Sequence, residues 1–500
     1  MASPLNTTRT FIAVLFLGLF AMSARTATDP DLWWHLKTGE FISEHKSIPH
    51  TDPFSFTRAG EPWVAHEWLT ELVLYQIQRS AGFGALIVIF AALLSAAFFF
   101  LYLRCGHAPY IAGIATLCAA WATMPIWGVR PQVISLLLTS LWLLILERSD
   151  RSPNLLWWTL PLTLLWVNLH AGFALGLALS ALFLAGTILE TKLKYPLAST
   201  NPSWKLSASI LLLDLCLVPL NPNGLRLFSY PIETLRSTTM QNYIVEWASP
   251  NFHRPEYWPF LLIVLATFGT LSWSRAPVRP RDLILLLVSL FAALTSIRLI
   301  PLFVFVAVPL ISRSLGRQLG SSSPSVHSPI RSAPAFRTWL NAAIILLMAT
   351  FAGVRILQVI HNQPQAEAHQ FPARAVAFLQ AHPPQGPIFN HYDWGGYLIW
   401  KLYPSTPVFI DGRADLYGAQ LFHDFADAYQ LKGPWQQILD RWQIHTVIVP
   451  TESALATGLQ SAPGWTISYQ DSQAIILTRS PSTPVSVRSP PPIPPPNSGQ

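Results

Sequence analysis

The sequence predicts a polytopic α-helical membrane protein with a C-terminal soluble α/β domain. Three observations predict it. Of its 500 residues 51% are hydrophobic and 11% charged, with mean hydropathy +0.37, whereas soluble domains carry about 25% charged residues. Apolar runs recur from residue 11 to residue 360. Beyond residue 361 they stop, and short strand and helix patterns replace them.

The apolar runs lie at 11–24, 83–103, 109–128, 132–147, 154–169, 171–190, 207–220, 257–273, 282–297, 299–315 and 338–360, which makes about eleven spans. The first is short, and Arg25-Thr26-Ala27 could pass for a cleavage site, so a signal peptide competes with a retained anchor. Retention is preferred because so many spans follow. Either outcome puts residues 25–82 outside. With the N-terminus inside, the inner loops carry Arg104, Arg148, Arg151, Lys192, Lys194, Lys205, Arg275, Arg279, Arg281, Arg313, Arg317, Arg331 and Arg337. The outer loop 220–257 has only Arg226, Arg236 and Arg254, as the positive-inside rule requires. Eleven spans then place the C-terminal domain outside, on the same side as residues 25–82.

Three regions follow: a membrane domain over 1–361 that includes 25–82 as its first outer loop with interfacial helices, an outer α/β domain over 362–480, and a proline-rich disordered tail over 481–500. The Ser/Pro-rich stretch 318–335 reads as a flexible inner loop. In the outer domain, strands are expected at 387–389, 407–410, 445–449, 465–469 and 474–478, with helices at 372–380, 419–430 and 435–442. The net charge of +7 is spread over short loops, which argues against nucleic-acid binding. Cys105, Cys118 and Cys216 lie in or next to apolar segments and form neither a disulfide framework nor a zinc spacing. Twenty Trp and thirteen Tyr fit the aromatic belts of membrane interfaces.

The chemistry concentrates in the first outer loop. Asp29 and Asp31 follow the first span directly, which pins two carboxylates at headgroup depth. A carboxylate there can deprotonate an acceptor hydroxyl or hold a divalent ion (Mg or Mn) against a phosphate. Asp31 also reads as the N-cap of a helix that Gly39 stops. His35 shares a helix face with Asp31 and either contacts phosphate or is a structural histidine. Trp33 and Trp34 read as interface anchors before sugar-stacking platforms. Asp52, in His50-Thr51-Asp52-Pro53, reads as a turn cap before a site member. His66-Glu67-Trp68 opens a second helix; Glu67 is the third catalytic carboxylate and His66 a substrate-binding candidate. The pattern is not His-Glu-x-x-His, so a zinc protease is not supported.

Elsewhere, Asn168 and His170 fall at the end of an apolar run, where such groups face a site or a neighbouring helix. Arg130 and Arg298 lie at outer boundaries, where a guanidinium suits a lipid phosphate or simply snorkels. Glu246 belongs to the long outer loop and could face the first. Asp214 sits inside an apolar run, as a bundle hydrogen-bonder before a relay group. In the outer domain Asp393, Asp411 and Arg413 are acceptor-binding candidates, with turn and cap chemistry the alternative.

Taken together, the many spans, the long first outer loop opened by Asp29-Pro30-Asp31 and the outer C-terminal domain resemble GT-C type membrane glycosyltransferases. The Tyr392-Asp393-Trp394-Gly395 stretch is similar in place to the Trp-Trp-Asp-Tyr-Gly motif of oligosaccharyltransferase catalytic subunits, but lacks the leading tryptophans and has Trp394 in place of Tyr. The resemblance implies a GT-C-like fold, Asp29 or Asp31 as catalytic acid/base or metal ligand, and a polyprenyl-phosphate sugar donor. It implies transfer to a glycolipid, cell-wall polymer or protein at the outer face of a bacterial inner membrane. A transporter or flippase of lipid-linked sugars, and a non-catalytic scaffold with a partner-binding outer domain, are the competing readings.

Overall fold

In the computed structural model, residues 5–106, 108–196, 204–274, 277–319 and 335–480 are described. The expected tail 481–500, almost all of the 318–335 loop, and Arg275 and Arg331 lie outside them. The chain divides into two compact units. Unit 1 comprises 1–29, 38–48 and 65–364; unit 2 comprises 30–37, 49–64 and 365–500. Two segments of the first loop, 30–37 and 49–64, fall in unit 2, which also carries the C-terminal sheet.

Helices α1 (Thr7–Ser23), α3 (Trp68–Arg104), α4 (Pro109–Thr123), α5 (Gln132–Ser149), α6 (Thr159–Leu169), α7 (Phe173–Lys192) and α8 (Trp204–Leu217) build the first part of unit 1, and α2 (Leu32–His45) is divided between the units. Short α9 (Arg226–Arg236) and α10 (Thr238–Tyr243) lead to α11 (Trp258–Trp273), α12 (Pro280–Thr295), α13 (Ile300–Gln318) and α14 (Ala335–His361). Each of the eleven apolar runs is helical over most of its length. Among the described residues six helices are long and apolar enough to cross a membrane. The shorter ones leave the span count open.

Helix α3 contains a break at Gly82, whose φ of 71° suits a residue without a Cβ. The expected apolar run begins at the next residue. Within the bundle α1 packs on α14, α3 on α5, α4 on α13, and α12 on both α7 and α13. Asp214 is buried in α8 and accepts from Thr159 at 2.9 Å and Thr163 at 2.7 Å, both on α6. Two hydroxyl donors satisfy a polar group that hydrocarbon would otherwise strand, so Asp214 is a hydrogen-bonder between helices. Ala27 and the Gln363 side chain exchange two hydrogen bonds, of 2.7 and 3.0 Å, which tie the residues after α1 to those after α14.

Unit 2 carries α15 (Gln363–Gln370) from its third residue onward, then α16 (Ala373–Ala381), α17 (Gly395–Leu402), α18 (Ala414–Tyr429), α19 (Trp435–Arg441) and α20 (Ala454–Gln460). Its sheet has strands β1 (Ile388–Asn390), β2 (Thr446–Pro450), β3 (Trp465–Gln470) and β4 (Ala474–Arg479), in the order β1-β2-β4-β3. β1 and β2 are parallel; the other pairs are antiparallel. Four of the five expected strands are present. The fifth, 407–410, is not in the sheet. Its Phe409 N–H donates to Asn390 Oδ1 and its Ile410 carbonyl accepts from Asn390 Nδ2, each at 2.8 Å. Val408 instead makes an isolated parallel bridge with Ser55. A buried side-chain amide and a loop segment satisfy the backbone that a strand would have satisfied.

Trp33 is fully buried, packed edge-on against Phe371 and Tyr397 at 5.2 and 4.9 Å. Trp34 is also buried, against His35 at 3.6 Å and Trp63 at 6.1 Å. The two indoles are core residues of unit 2. The expectation of interface anchors is corrected, because their rings face aromatic partners.

Candidate functional site

Three clusters gather the charged candidates. The first, in unit 1, forms where the end of α1, the turn before α5 and the loop before α11 carry charge. Arg130 Nε lies 3.2 Å from Asp29 Oδ2, and Arg130 Nη1 lies 2.6 Å from Glu246 Oε1. Arg130 Nε also donates to Gln132 Oε1 at 3.2 Å. All three charged side chains are partly open, at 13% for Arg130, 14% for Asp29 and 29% for Glu246. Burial disfavours charge on Glu246, but Arg130 and then Arg298 outweigh it and hold its carboxyl below the usual range. Arg298 sits 5.4 Å from the Trp247 ring centroid, a cation–π arrangement. Ser296 Oγ donates to the Glu246 carbonyl at 3.0 Å, which fixes the loop. Arg130 and Arg298 therefore flank one carboxylate, and Asp29 shares Arg130 with it.

The second cluster, also in unit 1, forms around Glu67, which precedes α3. His66 Nε2 lies 3.0 Å and His170 Nε2 3.3 Å from the same oxygen, Glu67 Oε1. Glu67 and His170 are buried, and the His66 ring packs on Tyr230 at 4.5 Å. Trp68, the first residue of α3, donates to Asn168 Oδ1 at 2.9 Å. Beside these two, an open groove of about 840 Å³ is lined by Trp68, Pro161, Leu164, Asn168, Pro219 and Leu220, among others. The groove is mostly apolar.

The third cluster is internal to unit 2. Arg413 Nη1 lies 2.6 Å from Asp52 Oδ1, while its Nη2 lies 2.7 Å and its Nε 2.8 Å from the Asp411 carboxylate. All three side chains are at 0% exposure. Tyr417 donates to Asp411. The Arg413 guanidinium stacks over Phe54 and Trp63 at 5.1 and 4.7 Å. Burial works against the cation, yet Asp411, then Tyr417 and Asp52, hold Arg413 firmly protonated. Burial and then Asp411 push the Tyr417 phenol well up. Asp52 also accepts from the N–H groups of Phe54 and Ser55 at 3.0 and 3.1 Å, as a turn cap does. Asp411 and Arg413, expected to bind an acceptor, are enclosed and bonded to each other in this conformation.

The other candidates are placed as follows. Asp31 accepts from Trp34 Nε1 at 3.1 Å and lies against Gly412, where an added Cβ would overlap Asp31 Oδ1. The Tyr392 phenol is pushed well up, by burial first and then by Asp31, Asp411, Asp393 and Asp415. His35 is buried. Asp393 is exposed and lies 3.7 Å from His391 Nε2. Asp29 and Asp31, two residues apart, belong to different units. The neighbour of Asp29 is a guanidinium, which competes with a divalent ion for the carboxylate. Among the described residues no group of three or more His, Cys, Asp and Glu side chains is arranged to hold a metal. The sequence left Glu246 without a partner and gave no sign of Ser135, whose Oγ lies 2.8 Å from His170 Nδ1. A serine in an apolar helix carries no signal of its own, because its default is a bond to its own backbone.

The helical bundle with its small C-terminal sheet unit is a GT-C-like membrane fold. Among solved structures the chain is similar to ArnT from Cupriavidus metallidurans bound to undecaprenyl phosphate, with TM-score 0.52, 13% identity, and 94% of this chain and 98% of that one covered. It is also similar to the oligosaccharyltransferase AglB from Archaeoglobus fulgidus in complex with an inhibitory peptide and a dolichol-phosphate, with TM-score 0.52, 11% identity, and 96% and 76% covered. At these identities the likeness establishes the fold. No family model matches the sequence and no curated protein matches it.

Proposed function

We propose that the protein is a glycosyltransferase that moves a sugar from a polyprenyl-phosphate donor to a hydroxyl or amide acceptor at the outer face of a bacterial inner membrane. The observation that carries this reading is the Asp29–Arg130–Glu246 cluster with Arg298 beside it. In the proposed step, the acceptor atom forms a bond to the sugar's anomeric carbon as the bond to the phosphate oxygen breaks. Asp29 takes the acceptor proton. Arg130 and Arg298 meet the negative charge that grows on the departing polyprenyl phosphate. The apolar groove beside Trp68 suits a prenyl tail. Glu67, hydrogen-bonded to His66 and with His170 Nε2 3.3 Å away, is assigned as a second acid/base group. Two structures of the same fold contain polyprenyl or dolichyl phosphates, which supports the donor class.

The transporter reading loses its main candidate, because Asp214 is occupied by two threonine hydroxyls. The test supplies radiolabelled undecaprenyl-phosphate sugars to membranes containing the full chain. Label is then followed into lipid, polymer and protein fractions. Loss of transfer in Asp29→Asn is expected. Undiminished transfer in both Asp29→Asn and Asp29→Ala would overturn the assignment of Asp29.

A further inference from the structure

His170 is held in one protonation form by residues that the reaction above does not use. The Gly172 N–H donates to His170 Nδ1 at 2.8 Å. A ring nitrogen that accepts from an N–H carries no proton, so in the neutral ring the proton sits on Nε2. Ser135, in the first turn of α5, places its Oγ 2.8 Å from the same Nδ1. Trp166 Nε1 donates to Ser135 Oγ at 2.8 Å. Indole nitrogen only donates, so the serine accepts from Trp166 and turns its own proton to His170. On the far side of the ring, Nε2 lies 3.3 Å from Glu67 Oε1. Ser135, Trp166, His170 and Glu67 are all buried.

We infer that Ser135 and Gly172 are positioning residues: they lock His170 as the Nε2–H tautomer, so that the ring nitrogen 3.3 Å from Glu67 Oε1 is the protonated one. The inference rests on the reading of Glu67 as an acid/base group in glycosyl transfer. A ring held in one tautomer beside the carboxylate presents it with a fixed positive N–H dipole before substrate arrives, so that arrangement need not be assembled during the reaction. Gly172 is required by space as well as by its N–H. A Cβ at that position would lie 2.8 Å from His170 Nδ1 and would collide with Ser135 Oγ.

The test uses the full-length chain, labelled with ¹⁵N-histidine and reconstituted in vesicles containing an undecaprenyl-phosphate sugar. Comparison with His170→Gln assigns the His170 resonances. The wild-type ring is expected to show an unprotonated Nδ1 that accepts hydrogen bonds, and Ser135→Ala is expected to shift that resonance. In turnover of the added donor, Ser135→Ala is expected to lower kcat about five- to tenfold with KM unchanged, the effect of one lost hydrogen bond. Ser135→Thr keeps the hydroxyl and is expected to restore most of it. A proton on Nδ1 overturns the inference. So does equal damage by Ser135→Ala and Ser135→Thr, which would mean packing, or an unchanged kcat in Ser135→Ala. Absence of wild-type turnover with every donor would sink the glycosyl-transfer reading, while the Nδ1 resonance would still decide the tautomer.

Discussion

Two acid–guanidinium–acid triplets differ in little but their access to water. Asp29–Arg130–Glu246 in unit 1 has contacts of 3.2 and 2.6 Å and side chains 13–29% exposed. Asp52–Arg413–Asp411 in unit 2 has contacts of 2.6 and 2.7 Å and side chains at 0%. In the enclosed triplet the spare acceptor positions are filled from within, by the N–H groups of Phe54, Ser55 and Arg413 and by Tyr417. In this conformation both of its carboxylates are bonded within the network. The open triplet keeps charge at a surface where a phosphate or hydroxyl can arrive. Two triplets of like composition are therefore told apart by enclosure, and the open one is the one carried into the proposed reaction.

The largest expected effect is structural. Arg413→Met leaves two carboxylates buried without their cation and is expected to cost about 3–5 kcal/mol, read as thermal unfolding or protease sensitivity of the purified chain. Unchanged stability would erase the distinction between the triplets. Asp29→Asn sharpens the contrast from the other side. It is expected to slow transfer by about 10²–10⁴-fold while shifting stability by less than about 1 kcal/mol. A large loss of stability in this variant would make Asp29 a structural residue.

A smaller effect is expected at Gly412. Ala there presses a methyl group into Asp31, at about 1–3 kcal/mol, again visible in unfolding of unit 2. The smallest is the pH response of Glu246. Its folded carboxyl lies below its ordinary value of 4.5, so its contribution is present above that value and fades as pH falls through the folded one. Wild type should lose stability in acid faster than Glu246→Gln. Parallel acid profiles for the two would remove Glu246 from the triplet.

Unbroken apolar runs made the helices legible: every such run became helical, because hydrocarbon leaves the backbone no other partner than itself. Strand 407–410 was misread for a local reason. Its hydrogen bonds go to Asn390 and to the loop around Ser55, and no propensity scale encodes a partner 353 residues away. The acids were found as residues but not as pairs. Asp52 was read as a turn cap, which it is, yet its tie to Arg413 spans 361 positions. Asp29 and Asp31 looked like one motif because only Pro30 separates them; their partners, Arg130 for one and Trp34 for the other, differ. Arg130 and Glu246 were each noticed, and only folding joined them.

The split of the first loop also sets a schedule for biosynthesis. Trp33, Phe54 and Trp63 leave the ribosome roughly 350 residues before Phe371, Tyr397 and Arg413, the groups that cover them. At about 5–20 residues per second that is a wait of roughly 18–70 s. During this interval the indoles and the Asp52 carboxylate must be tolerated without their partners, so an interrupted chain would expose a sticky aromatic segment to quality-control proteases.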